Sequence, residues 1–273
     1  MQPLVTLNHL YLYLDQATRD AILASPFMRQ EFAALTVSTA AMDNGRQWTG
    51  VYLTGEQTYI ELFCPADHGQ EAVGDAGIAL ATETEGDIEL AKQVLAKAGL
   101  DYPVELLQRE LEGVKVPWFW NLSLIAAAER EPEPFCAWIM EVERDYLARS
   151  GLPAADAPTG ISRREYNAQR FDPGRYLKDV TEIRLALPAD QAALFGQQLC
   201  LLGYAATAAE QGMAYHGPDM VLSVQRATGQ RRGVIAIRLS LQREKQGETE
   251  YRFGSGSVLQ FDRPDSAIWR FTG

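Results

Sequence analysis

The sequence predicts an α+β fold of repeated β-α-β-β-β modules, forming curved mixed sheets with helices on the outside. Three observations predict it. Leu7-Asn8-His9-Leu10-Tyr11-Leu12-Tyr13-Leu14 and Thr58-Tyr59-Ile60-Glu61-Leu62-Phe63-Cys64 alternate strictly, which is the period of a strand with two unlike faces. Helical patterns and turn-forming residues separate such strands. The same order of elements then recurs along the chain, the mark of a modular architecture.

In the first strand Leu10, Leu12 and Leu14 share one face, with His9, Tyr11 and Tyr13 on the other. Asp15 is placed to cap a helix over Gln16 to Ala34, which Ser25-Pro26 divides in two, because proline ends or restarts a helix. Strands follow over Thr36–Ala41, Gln47–Leu53 and Thr58–Cys64, separated by Asp43-Asn44-Gly45 and Thr54-Gly55-Glu56, residues typical of hairpin turns. In the last of these strands Ile60, Leu62 and Cys64 oppose Tyr59, Glu61 and Phe63.

The second unit opens on Gly77–Thr82. Its helix runs over Glu83–Gly99, with Ile88, Ala91, Val94, Leu95 and Ala98 on one face and a closing glycine. Strands are expected at Val104–Leu111, Val116–Ile125 and Phe135–Val142. Gly151–Gly160, rich in alanine, proline and glycine, reads as a linker, and a helix follows over Ser162–Gln169. Val180–Pro188, a helix over Asp190–Leu202 and strands to Phe261 read as a third unit with extra strand at its end. The expected division is 1–150 for two paired modules (about 4–66 and 75–145), 151–179 for linker and helix, and 180–273 for the third module.

The chain has 273 residues, a formal net charge of −11 and 47% apolar residues. That composition is ordinary for a globular protein, and the negative charge disfavours nucleic acid and anionic membranes as partners. The N-terminus has no basic region followed by a long apolar run, and no window approaches a membrane span. Cys64, Cys136 and Cys200 are odd in number and far apart. They read as reduced core cysteines of a cytoplasmic protein.

The aromatic face of the first module carries two titratable groups, His9 and Glu61. Imidazole is a metal ligand and a base near neutral pH. A carboxylate between Ile60 and Leu62 needs a partner, or burial raises its pKa and makes it a general base. Tyr11, Tyr13, Trp48, Tyr52, Tyr59 and Phe63 are placed to line one cavity with them, and Trp118, Trp120, Trp138 and Asn121 of the second unit to complete it. Gly77, Ala79 and Ala81 share one parity and leave room opposite the aromatic wall. His68 and His216 read as solvated loop or turn residues. In the third unit Glu182 and Arg184, Ser223 and Gln225, and Arg238 and Ser240 pair by parity. They read either as a solvent-facing sheet of paired charges or as an anion site.

Repeated β-α-β-β-β units resemble the vicinal oxygen chelate superfamily, which includes glyoxalases and extradiol dioxygenases. Within it the chain is similar to a glyoxalase-like group of bacterial proteins without an assigned activity, through Ser25-Pro26-Phe27, Trp48-Thr49-Gly50-Val51-Tyr52, Tyr59-Ile60-Glu61-Leu62-Phe63 and Pro134-Phe135-Cys136-Ala137-Trp138. The resemblance implies that two modules enclose one site, with metal ligands from the first and last strands of each module. His9 and Glu61 match two of these positions, and Glu141 in Trp138-Ile139-Met140-Glu141 is the candidate third. Gly77-Ile78-Ala79 offers no ligand, and the third unit holds Glu182 and Gln260 at the corresponding places.

Two functions follow. One is a metal-dependent enzyme of the vicinal oxygen chelate type, acting on a small oxygen-bearing substrate by lyase, isomerase or dioxygenase-like chemistry. A divalent metal would sit on His9, Glu61 and Glu141, and Glu61, Tyr11 or Tyr59 would move the proton; no nucleotide cofactor is indicated. The other is a metal-free protein that binds or sequesters a small molecule in the aromatic cavity. An odd number of units leaves one without a mate, which favours a homodimer.

Overall fold

The computed structural model describes residues 3–41, 47–68, 72–111, 113–125, 135–149, 161–228 and 232–272. The expected turn at Asp43–Gly45 and linker at Gly151–Gly160 fall outside them.

The first module is β1 (Thr6–Tyr13), α1 (Gln16–Ala24), a π-helical turn (Met28–Phe32), β2 (Ala34–Ala41), β3 (Gln47–Thr54) and β4 (Tyr59–Phe63). Asp15 caps α1 by accepting from the Thr18 amide at 2.9 Å. A short α2 (Pro65–His68) leads to the second module: β5 (Ala76–Ala81), α3 (Asp87–Lys97), β6 (Val104–Leu111), β7 (Val114–Ser123) and β8 (Phe135–Val142). These eight strands form one sheet, ordered β2-β3-β4-β1-β5-β8-β7-β6. Within each module the first strand runs parallel to the last, and β1 and β5 pair antiparallel where the modules meet.

Two short helices follow, α4 (Arg144–Arg149) and α5 (Arg163–Asn167). The rest of the chain corrects the count of units. It holds β9 (Leu177–Leu187), α6 (Ala189–Leu201), β10 (Ala205–Ala208), β11 (Met213–His216), β12 (Val221–Arg226), β13 (Gly233–Leu241), β14 (Glu250–Phe253), β15 (Ser257–Arg263) and β16 (Ser266–Phe271). These strands form a second sheet in the matching order, β10-β11-β12-β9-β13-β16-β15-β14. The expected single third unit with extra strand is therefore two units. The odd count behind the dimer expectation does not hold.

The fourth unit lacks its helix. A loop joins β13 to β14, and its Lys245 ammonium lies 5.2–5.7 Å from the ring centres of Phe27, Tyr176, Tyr251 and Phe261, a cation–π contact with four faces. Phe27, just before the π-helical turn, stacks on Tyr251 at 3.9 Å. The first module's helical segment thus covers the place where a fourth helix would pack.

Each sheet turns its aliphatic face to the helices, and one continuous core joins both sheets. It includes Leu10, Leu12, Ile60 and Leu62 from the first sheet, Ile22, Leu95 and Phe195 from helices, and Ile183, Leu222 and Trp269 from the second. The helices lie on the outer face of each sheet, as expected, but that face is internal to the molecule. Cys64 is buried while Cys200, on α6, is exposed, so the reading of all three cysteines as core is corrected at Cys200. His216 lies on β11 rather than in a turn and contacts the Thr207 hydroxyl through Nε2 at 2.9 Å.

A strap formed by residues 161–176 ties the layers together. Ser162 and Glu165 form a capping box that starts α5. Arg163, only 4% exposed, donates through its side chain to Glu83 at 3.0 Å, to the Leu7 carbonyl at 2.6 Å, to Gln57 at 3.2 Å and to Asp219. Beside it Asp179 accepts from the Gln57 and Thr58 amides at 2.7 and 2.9 Å. Gly55 allows this approach, because a Cβ there would lie 2.3 Å from the Lys178 carbonyl oxygen. Removing one partner of a buried ionic cluster leaves the others desolvated. Arg163→Met should therefore cost about 3 kcal/mol in urea unfolding. An unchanged midpoint and slope would show that the strap does not depend on this arginine.

Candidate functional site

The polar and aromatic face of the first sheet forms one wall of a cavity of about 570 Å³, within the range of small-molecule sites. β1 contributes His9, Tyr11 and Tyr13, β3 contributes Tyr52, and β4 contributes Tyr59, Glu61 and Phe63. From the second module come Trp118 and Trp138. Nine of the residues picked out in the sequence therefore meet in one place, because strand parity puts them on one face.

Others do not. Trp120 points to the opposite side of β7, where its Nε1 donates to Glu143 at 2.5 Å. Asn121 donates to Ser123 at 3.3 Å and does not line the cavity. Trp48 stands on β3 opposite Ala40, and its side chain lies outside those described. Cavity residues that the sequence reading missed include Thr36, Ser38, Met140, Arg109, Tyr166 and Arg170. Phe119 also lines it, because a break in the β6–β7 register skips Trp118. Such a bulge lets two successive residues face the same side.

The room expected from small residues has a different use. A Cβ on Gly77 would lie 2.4 Å from the Tyr11 ring and 2.9 Å from the Cys136 sulfur. Gly77 is thus what allows Tyr11 to lie across β5, with its hydroxyl 2.8 Å from Cys136 Sγ. Ala79 and Ala81 are covered by Phe119 and Met140, with Trp118 and Trp138 packed against them.

His9 is 7% exposed. Its ring stacks on Tyr59 at 4.4 Å and meets the edge of Trp138 at 5.4 Å. Nδ1 donates to Asn8 Oδ1 at 2.8 Å, which leaves Nε2 as an acceptor. Burial lowers the His9 pKa to about 3, so the ring is neutral near pH 7. Burial pushes the Glu61 carboxyl up from 4.5 to about 8, with the charges of Arg170 and Arg109 opposing part of the rise. Burial also raises Tyr11 and Tyr59, so both phenols remain protonated hydrogen-bond donors near neutrality.

The donor set does not fit the family's metal site. Tyr59 pairs with His9 and Glu61 with Tyr11 in the first module, and Trp138 pairs with Ala79 and Met140 with Ala81 in the second. The cavity-facing parity of β5 holds Gly77, Ala79 and Ala81, and that of β8 holds Cys136, Trp138 and Met140, so neither strand offers an imidazole or carboxylate to match His9 or Glu61. Glu141, the expected third ligand, has the opposite parity and does not line the cavity. Its carboxylate accepts from the Thr82 hydroxyl and from the Gly86 and Ile88 amides at 2.8–2.9 Å, holding the start of α3. Among the described residues, no group of three or more His, Cys, Asp or Glu side chains is placed to hold a metal.

The counterpart face of the second sheet resolves the choice left open by the sequence in favour of paired charges. Glu182 accepts from Arg184 at 2.8 Å and from Ser223 at 3.0 Å, and Arg238 bonds Asp262 at 3.0 Å. Gln260 accepts from Arg270 at 2.9 Å.

Paired β-α-β-β-β modules sharing one sheet, with the site on the face away from the helices, define the vicinal oxygen chelate fold. The chain is similar in structure to a hypothetical protein from Staphylococcus aureus, with 13% identity and a TM-score of 0.54, covering 96% of this chain and 97% of that one. Weaker likenesses include the Mn(II)-bound glyoxalase from Novosphingobium aromaticivorans (11% identity, TM-score 0.43, 86% and 64% covered) and the 2,3-dioxygenase LapB from Pseudomonas sp. KL28 (11%, 0.44, 100% and 93%). No curated protein matches the chain. The chain belongs to the family described as "Family of unknown function (DUF5829)", whose model matches residues 7–271.

The Glu61 environment gives a pH prediction. Its folded pKa lies above the unfolded value, so the native state binds the proton more tightly. This contribution is full below about pH 4.5 and is lost as pH rises through about 8. Glu61→Gln should stabilise the protein relative to wild type by ~1–2 kcal/mol at the alkaline end, less than full linkage because the carboxyl is partly exposed. Thermal melts of both proteins across that range should diverge as pH rises. Parallel curves would show that Glu61 titrates as in water.

Proposed function

We propose that this chain binds a small organic molecule in the cavity of its first sheet without a resident metal. One observation carries the reading: the aromatic cavity is present, while the cavity-facing residues of β5 and β8 include no imidazole or carboxylate and Glu141 is engaged at a helix start. Rings of Tyr11, Tyr13, Tyr59, Phe63 and Trp138 supply flat apolar contact with few polar points, which suits a planar or amphipathic ligand. Cys64, Cys136 and Cys200 form no disulfide with one another, which supports a reducing, cytoplasmic setting.

A second reading, an enzyme, has its own support in Glu61. A carboxyl with a pKa near 8 in a partly closed cavity suits general base catalysis near neutral pH. In that role Glu61 would take a proton from the bound molecule, with the Tyr11 and Tyr59 hydroxyls as donors to the oxygen left negative. His9, neutral and fixed through Asn8, would orient the ligand from the opposite side of Tyr59.

The metal-free cavity common to both readings is tested in solution. Protein purified without chelators should hold less than a tenth of an equivalent of any divalent metal by elemental analysis. A panel of two-ring aromatic compounds should raise its melting midpoint by a few degrees at saturating concentration. Gly77→Val, which drives the Tyr11 ring from its place, should abolish that rise. Stoichiometric metal that survives dialysis and is lost in His9→Ala would overturn the metal-free reading.

A further inference from the structure

We infer that the ligand is a planar organic anion, its rings against the aromatic wall and its acidic oxygens held by Arg109 and Arg170. The inference rests on the small-molecule reading above and narrows it to a chemical class.

The two guanidinium groups reach the cavity from unrelated parts of the chain. Arg109 comes from β6, the edge strand of the sheet, and Arg170 from the strap. Each lies over a ring: Arg109 Cζ is 5.1 Å from the Trp118 centroid, and Arg170 Cζ is 5.6 Å from that of Tyr166. Arg109 also donates to the Tyr146 hydroxyl at 3.3 Å. A guanidinium stacked on a ring can still donate in its own plane to a two-oxygen acceptor.

Both are half-buried at the cavity, and their partners differ from those of several other arginines. Arg163, Arg175, Arg184, Arg232, Arg238 and Arg252 all form ion pairs with carboxylates. Among the described residues Arg109 and Arg170 form none. Among the described residues, the cavity lining holds these two cations against a single carboxyl, Glu61, in a chain of net charge −11. Walls of low polarity strengthen such a local field. It repels an ammonium ligand, gives a neutral one no advantage and favours a carboxylate or phenolate.

The bland alternative is that both arginines merely cover aromatic rings. Three probes with one ring system separate the cases: 2-naphthoate, 2-naphthamide and 2-(aminomethyl)naphthalene, each titrated calorimetrically into the full chain at neutral pH and low salt. Naphthoate should bind roughly tenfold or more tighter than the amide, and the ammonium compound weakest. Arg109→Gln and Arg170→Gln should each bring naphthoate close to the amide while leaving amide binding within about twofold, and the corresponding Lys variants should retain part of the preference. Raising the salt on the wild type should weaken naphthoate and leave the amide unchanged, a readout that needs no variant to fold. Equal affinity for naphthoate and amide would overturn the anion and leave the cavity reading intact. A preference that survives both Gln variants would remove these arginines as its source. No binding of any probe would overturn both readings together.

Discussion

The buried guanidinium of Arg163 is the constraint on which the arrangement rests. It joins the strap to β1 through the Leu7 carbonyl, to the β5–α3 connection through Glu83, to the β3–β4 turn through Gln57, and to the second sheet through Asp219. A charge so enclosed is tolerated because its donors are matched in several directions. The same contact fixes where α5 begins. From that point Tyr166 and Arg170 fall over the cavity face of the first sheet. A contact between layers thus also sets the composition of the site.

The two sheets share a topology and differ in what their free faces carry. On the first, aromatic rings surround one carboxyl and one imidazole. On the second, Glu182, Arg184, Arg238 and Asp262 satisfy one another in view of solvent, where such pairs contribute little to stability. Both turn a dry face to the helices. Duplicated architecture therefore left one face lined by aromatic rings around a cavity and one for solvation, and the difference lies in side chains rather than backbone.

Much of this was legible in the sequence. Strict alternation placed His9, Tyr11 and Tyr13 with Tyr59, Glu61 and Phe63, since parity carries over unchanged from sequence to sheet. The same rule misled at Glu141. A shift of one residue exchanges it with Met140, and only the pairing of β8 with β5 settles which one faces the cavity. The fourth module was missed because its helix is absent and Phe27 of the first module packs in its stead, so no helical period marks the repeat. Arg109 and Arg170 gave no signal either. One lies on an edge strand beyond a bulge, the other on a connecting segment without periodicity, and their convergence is a product of tertiary structure alone.

That convergence has an evolutionary side. The strap lines the cavity with Tyr166 and Arg170 and donates no strand to either sheet, yet it lays Tyr166, Asn167 and Tyr176 into buried positions. Arg170 itself is only half-buried, so a change there alters the lining of the cavity while those buried contacts stay. A scaffold divided in this way lets the cavity lining drift between relatives while the layers beneath stay the same. Divergence of that lining is then to be sought along the strap and the β6 edge, ahead of the central strands.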